Sequence, residues 1–159
     1  MLIMQSLVNI SGISGKDVFD FMLNCSDEDY QKWWPGVHLA FHTKKYRPGN
    51  QGNLVYFDEY IGKHRFSFHG ILEEIVPDKK LVWHMMKLIK LPCWLALDLK
   101  DTESGVRITH TMTVGFNKWG RALDPFVKIF FSKQFERELE EHARIEFSKL
   151  AEMLSPMTR

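Results

Sequence analysis

Between Val37 and Phe116, apolar and polar side chains alternate in short runs separated by turn-forming residues, the pattern of successive antiparallel strands. The cleanest run puts Val106, Ile108, His110, Met112, Val114 and Phe116 on one face and Arg107, Thr109, Thr111 and Thr113 on the other. Phe66, Phe68, Gly70 and Leu72 share a face in an earlier run, and Cys93, Leu95, Leu97 and Leu99 in another. A sheet built from such runs has one dry face and one wet face. The turn signals are Arg47-Pro48-Gly49-Asn50, Ile61-Gly62-Lys63, Val76-Pro77-Asp78, Leu91-Pro92 and Glu103-Ser104-Gly105, which divide the segment into about six strands. Leu2 to Ile10 reads as a further strand at the start.

Elsewhere the period changes. Val18, Phe19, Met22 and Leu23 recur at helical spacing behind Ser14-Gly15, which predicts a helix over Lys16 to Asn24. Ser26 with Asp29 three residues on resembles a capping box, and Pro35 ends the helix it opens near Trp34. Asp124-Pro125 combines an N-cap with proline at the first helical position, and nothing breaks the chain before Ser155-Pro156, so a helix of about thirty residues closes the sequence. Its apolar stripe runs Phe131, Phe135, Leu139, Ala143, Phe147, Leu150 and Leu154. The expected architecture is α+β: one strand, two short helices, six strands and a long C-terminal helix packed into a curved antiparallel sheet of about seven strands. No repeat or linker interrupts the chain, so residues 1–159 are expected to form a single domain.

Composition narrows the partners. Lys and Arg number 21 against 20 Asp and Glu, a net charge of +1 that gives no field to gather a polyanion, so nucleic acid is not an expected partner. No apolar run approaches the length of a membrane span, and the opening MLIMQSLVNISG lacks the basic start of a signal peptide, so a cytoplasmic protein is expected. Cys25 and Cys93 form no C-x-x-C pair. Twelve Phe, eight Met and five Trp either fill a large core or line a pocket for an apolar ligand. Phe68, Leu97 and Met112 on the strands, with Phe131, Phe135 and Leu139 on the helix, are the candidate lining. Trp34, with Trp33, either covers such a cavity or docks the short helices.

Against this apolar pattern a few polar residues stand out. On the last helix His142 and Glu146 fall within the sector of Phe135, Leu139, Leu150 and Met153. Four residues apart, they are neighbours on one face, close enough to ligate one ion; a hydrogen-bonded pair, or a stripe that drifts towards solvent, would also account for them. His110 is the polar member of a dry strand face. It is either a core histidine bonded to a tyrosine or carbonyl, or a group that orients or protonates a substrate.

Three short motifs occur in order: Trp33-Trp34-Pro35-Gly36-Val37-His38, Glu59-Tyr60-Ile61-Gly62, and His142-Ala143-Arg144-Ile145-Glu146. The order of elements is similar, over nearly the whole chain, to the helix-grip fold of the START-like, Bet v 1-like superfamily, the polyketide cyclase/dehydrase and lipid-transport group. The motifs resemble a narrower branch, the diacetylphloroglucinol hydrolases, zinc enzymes that cleave a carbon–carbon bond in an acylated phenol. The resemblance implies a cavity between sheet and helix for a small hydrophobic, phenolic or polyketide-like molecule. It places metal ligands at His38, Glu59, His142 and Glu146. Two imidazoles and two carboxylates suit Zn²⁺, and Ni²⁺, Fe²⁺ or Mn²⁺ could occupy the same set. His110 would then carry the proton beside the metal. The alternatives are a carrier that binds its ligand without chemistry, the four residues forming an internal polar cluster, and a protein-interaction module of the same fold.

Overall fold

The structure, a computed structural model, describes residues 1–116 and 131–155. The elements are β1 (Leu2–Ser11), α1 (Gly15–Asn24), α2 (Asp27–Trp33), β2 (His38–Lys45), β3 (Leu54–Ile61), β4 (His64–Val76), β5 (Lys80–Met86), β6 (Lys90–Asp101), β7 (Gly105–Val114) and α3 (Lys133–Leu154). The seven strands form one antiparallel sheet in the order β1-β7-β6-β5-β4-β3-β2. Strands β2 to β7 are a meander, and β1 returns to pair along its whole length with β7, from Leu2 opposite Val114 to Ser11 opposite Gly105.

Both short helices start as their serines dictate. Ser14 Oγ accepts the Asp17 N–H (3.2 Å) while Asp17 Oδ2 accepts the Ser14 N–H (2.7 Å), a reciprocal cap. Ser26 Oγ accepts the Asp29 N–H at 3.1 Å. The inward faces of the strands meet Phe135, Leu139, Ala143, Phe147 and Leu150 of α3, all buried. Gly105 lies where β7 crosses closest to β1: a Cβ there would run into the Ile10 carbonyl. Among the described residues no helix is long and apolar enough to cross a membrane.

Two expectations are corrected. The β5–β6 turn falls at Lys87-Leu88-Ile89, and Leu91-Pro92 lies inside β6. Proline is tolerated there because β6 begins its pairing with β7 only at Cys93 and its ladder with β5 is irregular between His84 and Met86, so no bond is lost for want of its N–H. The last helix begins at Lys133, because Ser132 caps it by accepting the Phe135 N–H at 3.2 Å. Phe131 therefore precedes the helix. The expected start at Asp124-Pro125 lies outside the described residues.

Candidate functional site

Gly36, at φ +79°, takes the left-handed conformation that turns the chain from α2 into β2 and sets His38 as the first strand residue. His38 stands directly opposite Glu59 in the β2–β3 ladder. From the concave side α3 presents His142 and Glu146, one turn apart. One ligand atom from each of these four lies within 4.8 Å of all the others. His38 Nε2 is 3.4 Å from Glu146 Oε1 and 3.9 Å from Glu59 Oε2, and His142 Nε2 is 3.2 Å from Glu59 Oε2 and 3.9 Å from Glu146 Oε2. The structure thus joins residues that the sequence separates by more than a hundred positions.

The surroundings hold this cluster in place. Tyr30 on α2 touches it three ways: its ring stacks on His38 at 3.9 Å, its carbonyl accepts from His38 Nδ1 (3.2 Å), and its hydroxyl donates to Glu59 Oε2 (3.0 Å). Trp33 donates its Nε1–H to the Glu146 carbonyl at 2.6 Å, docking α2 on α3. Burial would raise the Glu59 pKa, but the hydrogen bond and charge of His142, with His38 and Tyr30, hold it below the usual carboxylate value. Burial would lower that of His142, yet the hydrogen bond to Glu59 and the charges of Glu146 and Glu59 raise it. Tyr30 is pushed well above the ordinary phenol value, first by burial and then by the two glutamates, so it is a hydrogen-bond donor here.

His38 tests whether a cation fits. A carbonyl can only accept, so Nδ1 carries a proton, and in the uncharged form of the ring Nε2 presents a lone pair. That atom is fully buried and has no hydrogen-bond partner. Its neighbours are carboxyl oxygens, which also present lone pairs, an arrangement that is unfavourable until a positive centre, a proton or a metal ion, lies between them. Ligands of a tetrahedral ion bound at about 2.0–2.2 Å lie about 3.3–3.6 Å apart, within the 3.2–3.9 Å span of the four imidazole–carboxylate pairs. The four residues can hold a metal.

Glu59, His142 and Glu146 line a chamber of about 40 Å³ together with Phe68, Leu97, Met112, Leu139 and His110. That is room for about one water molecule or one functional group. Phe68 and Met112 also line a second, larger cavity of about 540 Å³, walled mainly by Phe66, Met85, Leu91, Pro92, Cys93, Val114, Phe116 and Phe131. The large cavity touches none of the four polar residues; the chamber touches Glu59, His142 and Glu146, and Phe68 and Met112 line both. His110 is buried with Nδ1 unpartnered, and burial holds its pKa below the ordinary histidine value against the pull of Glu146 and Glu59.

Of the residues singled out in the sequence, Phe68, Leu97, Met112 and Leu139 line the chamber and Phe131 the large cavity. Phe135 is buried beside Phe131 and Phe66, and lines a neighbouring cleft with Lys63 and Gln134. Trp34 lies elsewhere. It packs on His142 at 4.8 Å between ring centres and, with His142, Tyr60, Glu138 and Glu141, lines another cleft of about 200 Å³. Tyr30 was not legible as a site residue. Its signal was its place three residues before Trp33 on one helix face, because a buried phenol needs a partner for its hydroxyl.

No protein-family model matches the chain, and no curated protein matches it in sequence. Solved structures do resemble it. The KanY protein has a TM-score of 0.64 at 11% identity, over 98% of this chain and 98% of that chain. The di-domain ARO/CYC StfQ from the steffimycin biosynthetic pathway gives 0.62 at 15% identity, over 97% of this chain and 51% of that chain. Major latex-like protein 151 from Panax ginseng gives 0.53 at 12% identity, over 89% of this chain and 95% of that chain. The fold is the Bet v 1-like helix grip, a curved seven-stranded antiparallel sheet around a long C-terminal helix.

Proposed function

We propose that the protein, acting as one START-like domain, holds a divalent metal, zinc, on His38, Glu59, His142 and Glu146 and hydrolyses a carbon–carbon bond of a small acyl phenol or polyketide-like molecule. The observation that carries the reading is the buried lone pair of His38 Nε2, unpartnered and facing carboxyl oxygens. A bound ion supplies a Lewis acid for a ketone oxygen and lowers the pKa of water. The chain's own residues do the rest. The apolar wall from Phe66 to Phe131 holds the ring system away from water. Phe68 and Met112 admit the acyl end alone, because the chamber beyond them takes little more than one group. Hydrolysis adds hydroxide to the acyl carbon and a proton to the ring carbon. His110, kept neutral by burial, stands on the chamber wall to hold or pass that proton. The likeness of fold to StfQ, an ARO/CYC, supports a polyketide-like ligand.

The test is a native mass spectrum of protein offered zinc, nickel, iron and manganese in turn, with His142→Ala alongside. One metal per chain in the wild type, lost from the variant, is the expected result. Wild type that takes no metal yet still binds an apolar fluorescent probe would replace the hydrolase with a carrier.

A further inference from the structure

The most exposed large apolar side chains of the described residues are adjacent: Leu88 is 95% and Ile89 72% exposed at the tip of the β5–β6 hairpin. A hairpin tip of this kind is ordinarily polar, because exposed aliphatic pairs gain nothing from water. The pair is flanked by Lys87 and Lys90, giving the turn the sequence Lys-Leu-Ile-Lys. Its base is part of the large apolar cavity, whose wall includes Met85, Lys87, Leu91 and Pro92. The hairpin is therefore one lip of that cavity.

At the same end of the sheet the β3–β4 turn, Gly62-Lys63, leads into His64 and Arg65 of β4, and Arg65 lines the same cavity. The two hairpin ends carry four cations, Lys63, Arg65, Lys87 and Lys90, and Glu138 of α3 lies against Gly62. Arg65 is held by Asp58 and Lys90 lies 3.3 Å from Glu73, while Lys63 and Lys87 make no ion pair with any described residue. An aliphatic pair between lysines matches the layered chemistry of a bilayer surface, with acyl chains below and phosphate above. The lysine stems lie along the apolar layer as their ammonium groups stay among the headgroups.

We infer that the Lys87–Lys90 hairpin docks the protein on anionic lipid bilayers, with Leu88 and Ile89 inserted below the headgroups and the cavity mouth held against the membrane. A hydrophobic ligand dissolved in the bilayer then reaches the cavity without crossing water. The inference rests on the reading of the cavity as a site for such a ligand. The charge partner is specified too: each free lysine contributes about fivefold in binding to an anionic surface, and salt screens that contribution.

The experiment is co-sedimentation with phosphatidylcholine vesicles, with and without one third phosphatidylglycerol, at low and high salt. Wild type is expected to bind the mixed vesicles at least tenfold more tightly than the neutral ones and to release in high salt. Leu88→Ser/Ile89→Ser should lose binding to both, and Lys63→Gln should lessen the preference for the anionic vesicles about fivefold. All three positions are exposed and none lines the large cavity, so both variants should melt with wild type and bind the apolar probe as before. Wild type that stays in the supernatant, or an Leu88→Ser/Ile89→Ser variant that sediments like wild type, overturns the docking surface while leaving the cavity reading in place. A wild-type dimer that this variant splits also overturns it, by assigning the pair to a second copy of the chain. Loss of probe binding in every form would instead remove the cavity reading.

Discussion

Glu146→Gln separates a metal ligand from a structural carboxyl, because its effect reverses with metal. The assay is set at about pH 8.5, roughly two units above the ordinary histidine value, to limit competition by protons. In metal-free wild type with His38 in its uncharged Nδ1–H form, Nε2 faces Glu146 Oε1 at 3.4 Å with a lone pair on each side. Glutamine has nearly the same shape and brings an amide donor to that position. One buried contact becomes a hydrogen bond worth about 0.5–1.5 kcal/mol. For a chain of this length that corresponds to about 1–6 °C in Tm, so the variant should melt higher than wild type in a chelator. With zinc the order changes. A ligand present at a thousand times its Kd stabilises wild type by about 4.1 kcal/mol, and a tenfold loss of affinity removes about 1.4 kcal/mol of it. The zinc-induced rise in Tm should therefore be smaller in the variant by about 3–6 °C. Scanning calorimetry with and without zinc reads both effects. An unchanged zinc-induced rise would refute ligation by Glu146, and a lower Tm in chelator would refute the lone-pair argument at His38.

Tyr30→Phe should keep the ring stack on His38 and lose the hydroxyl on Glu59, weakening zinc binding about 10- to 100-fold in a chelator competition. Because His142 must lose its proton to ligate and its pKa is raised, zinc affinity should weaken as pH falls through that raised value, sooner than for an ordinary histidine. Metal-free protein should behave oppositely: the stabilisation from protonated His142 beside Glu59 is full below about pH 6.5 and is lost as pH rises through the folded value, which urea titrations at several pH values would show. Leu139→Ala, on α3 at a site 2% exposed beside the chamber, should cost about 2–5 kcal/mol in urea unfolding. Gly105→Ala should cost about 3 kcal/mol or more by the same measurement, since its methyl group meets the backbone of β1.

Strand faces and helix caps were legible because each is set within a few residues: alternation fixes the dry face of β7, and Ser14 and Ser26 start their helices as they would in a peptide. Leu91-Pro92 misled because proline marks a turn only where its missing N–H would matter, and that depends on which neighbour strand has begun to pair. Ser132 was passed over because Asp124-Pro125 offered an earlier start with no break after it. At the site, the spacing of His142 and Glu146 on an apolar stripe pointed to a shared ligand or a bonded pair, and the convergence with His38 and Glu59 came from resemblance. No local pattern could show it, since it depends on α3 lying across the β2–β3 end of the sheet. Trp34 and Trp33 illustrate the same limit: adjacent tryptophans, one buried beneath the cluster and the other packed on the outer side of His142, with nothing in their sequence to tell them apart.

The pairing of β1 with β7 also constrains how the molecule is made. On a ribosome adding about 5–20 residues per second, the first strand emerges roughly 5–20 s before its partner exists. During that interval Leu2 to Ile10 exposes apolar side chains on both faces, Met4, Val8 and Ile10 on one and Ile3 and Leu7 on the other, next to unpaired backbone. Such a segment invites strand exchange between nascent chains on the same messenger. His142 and Glu146 are later still, so a truncated product would carry half a cluster and a sticky edge. Pairing β1 with β7 therefore leaves a ten-residue apolar segment without its partner until nearly a hundred further residues have been made.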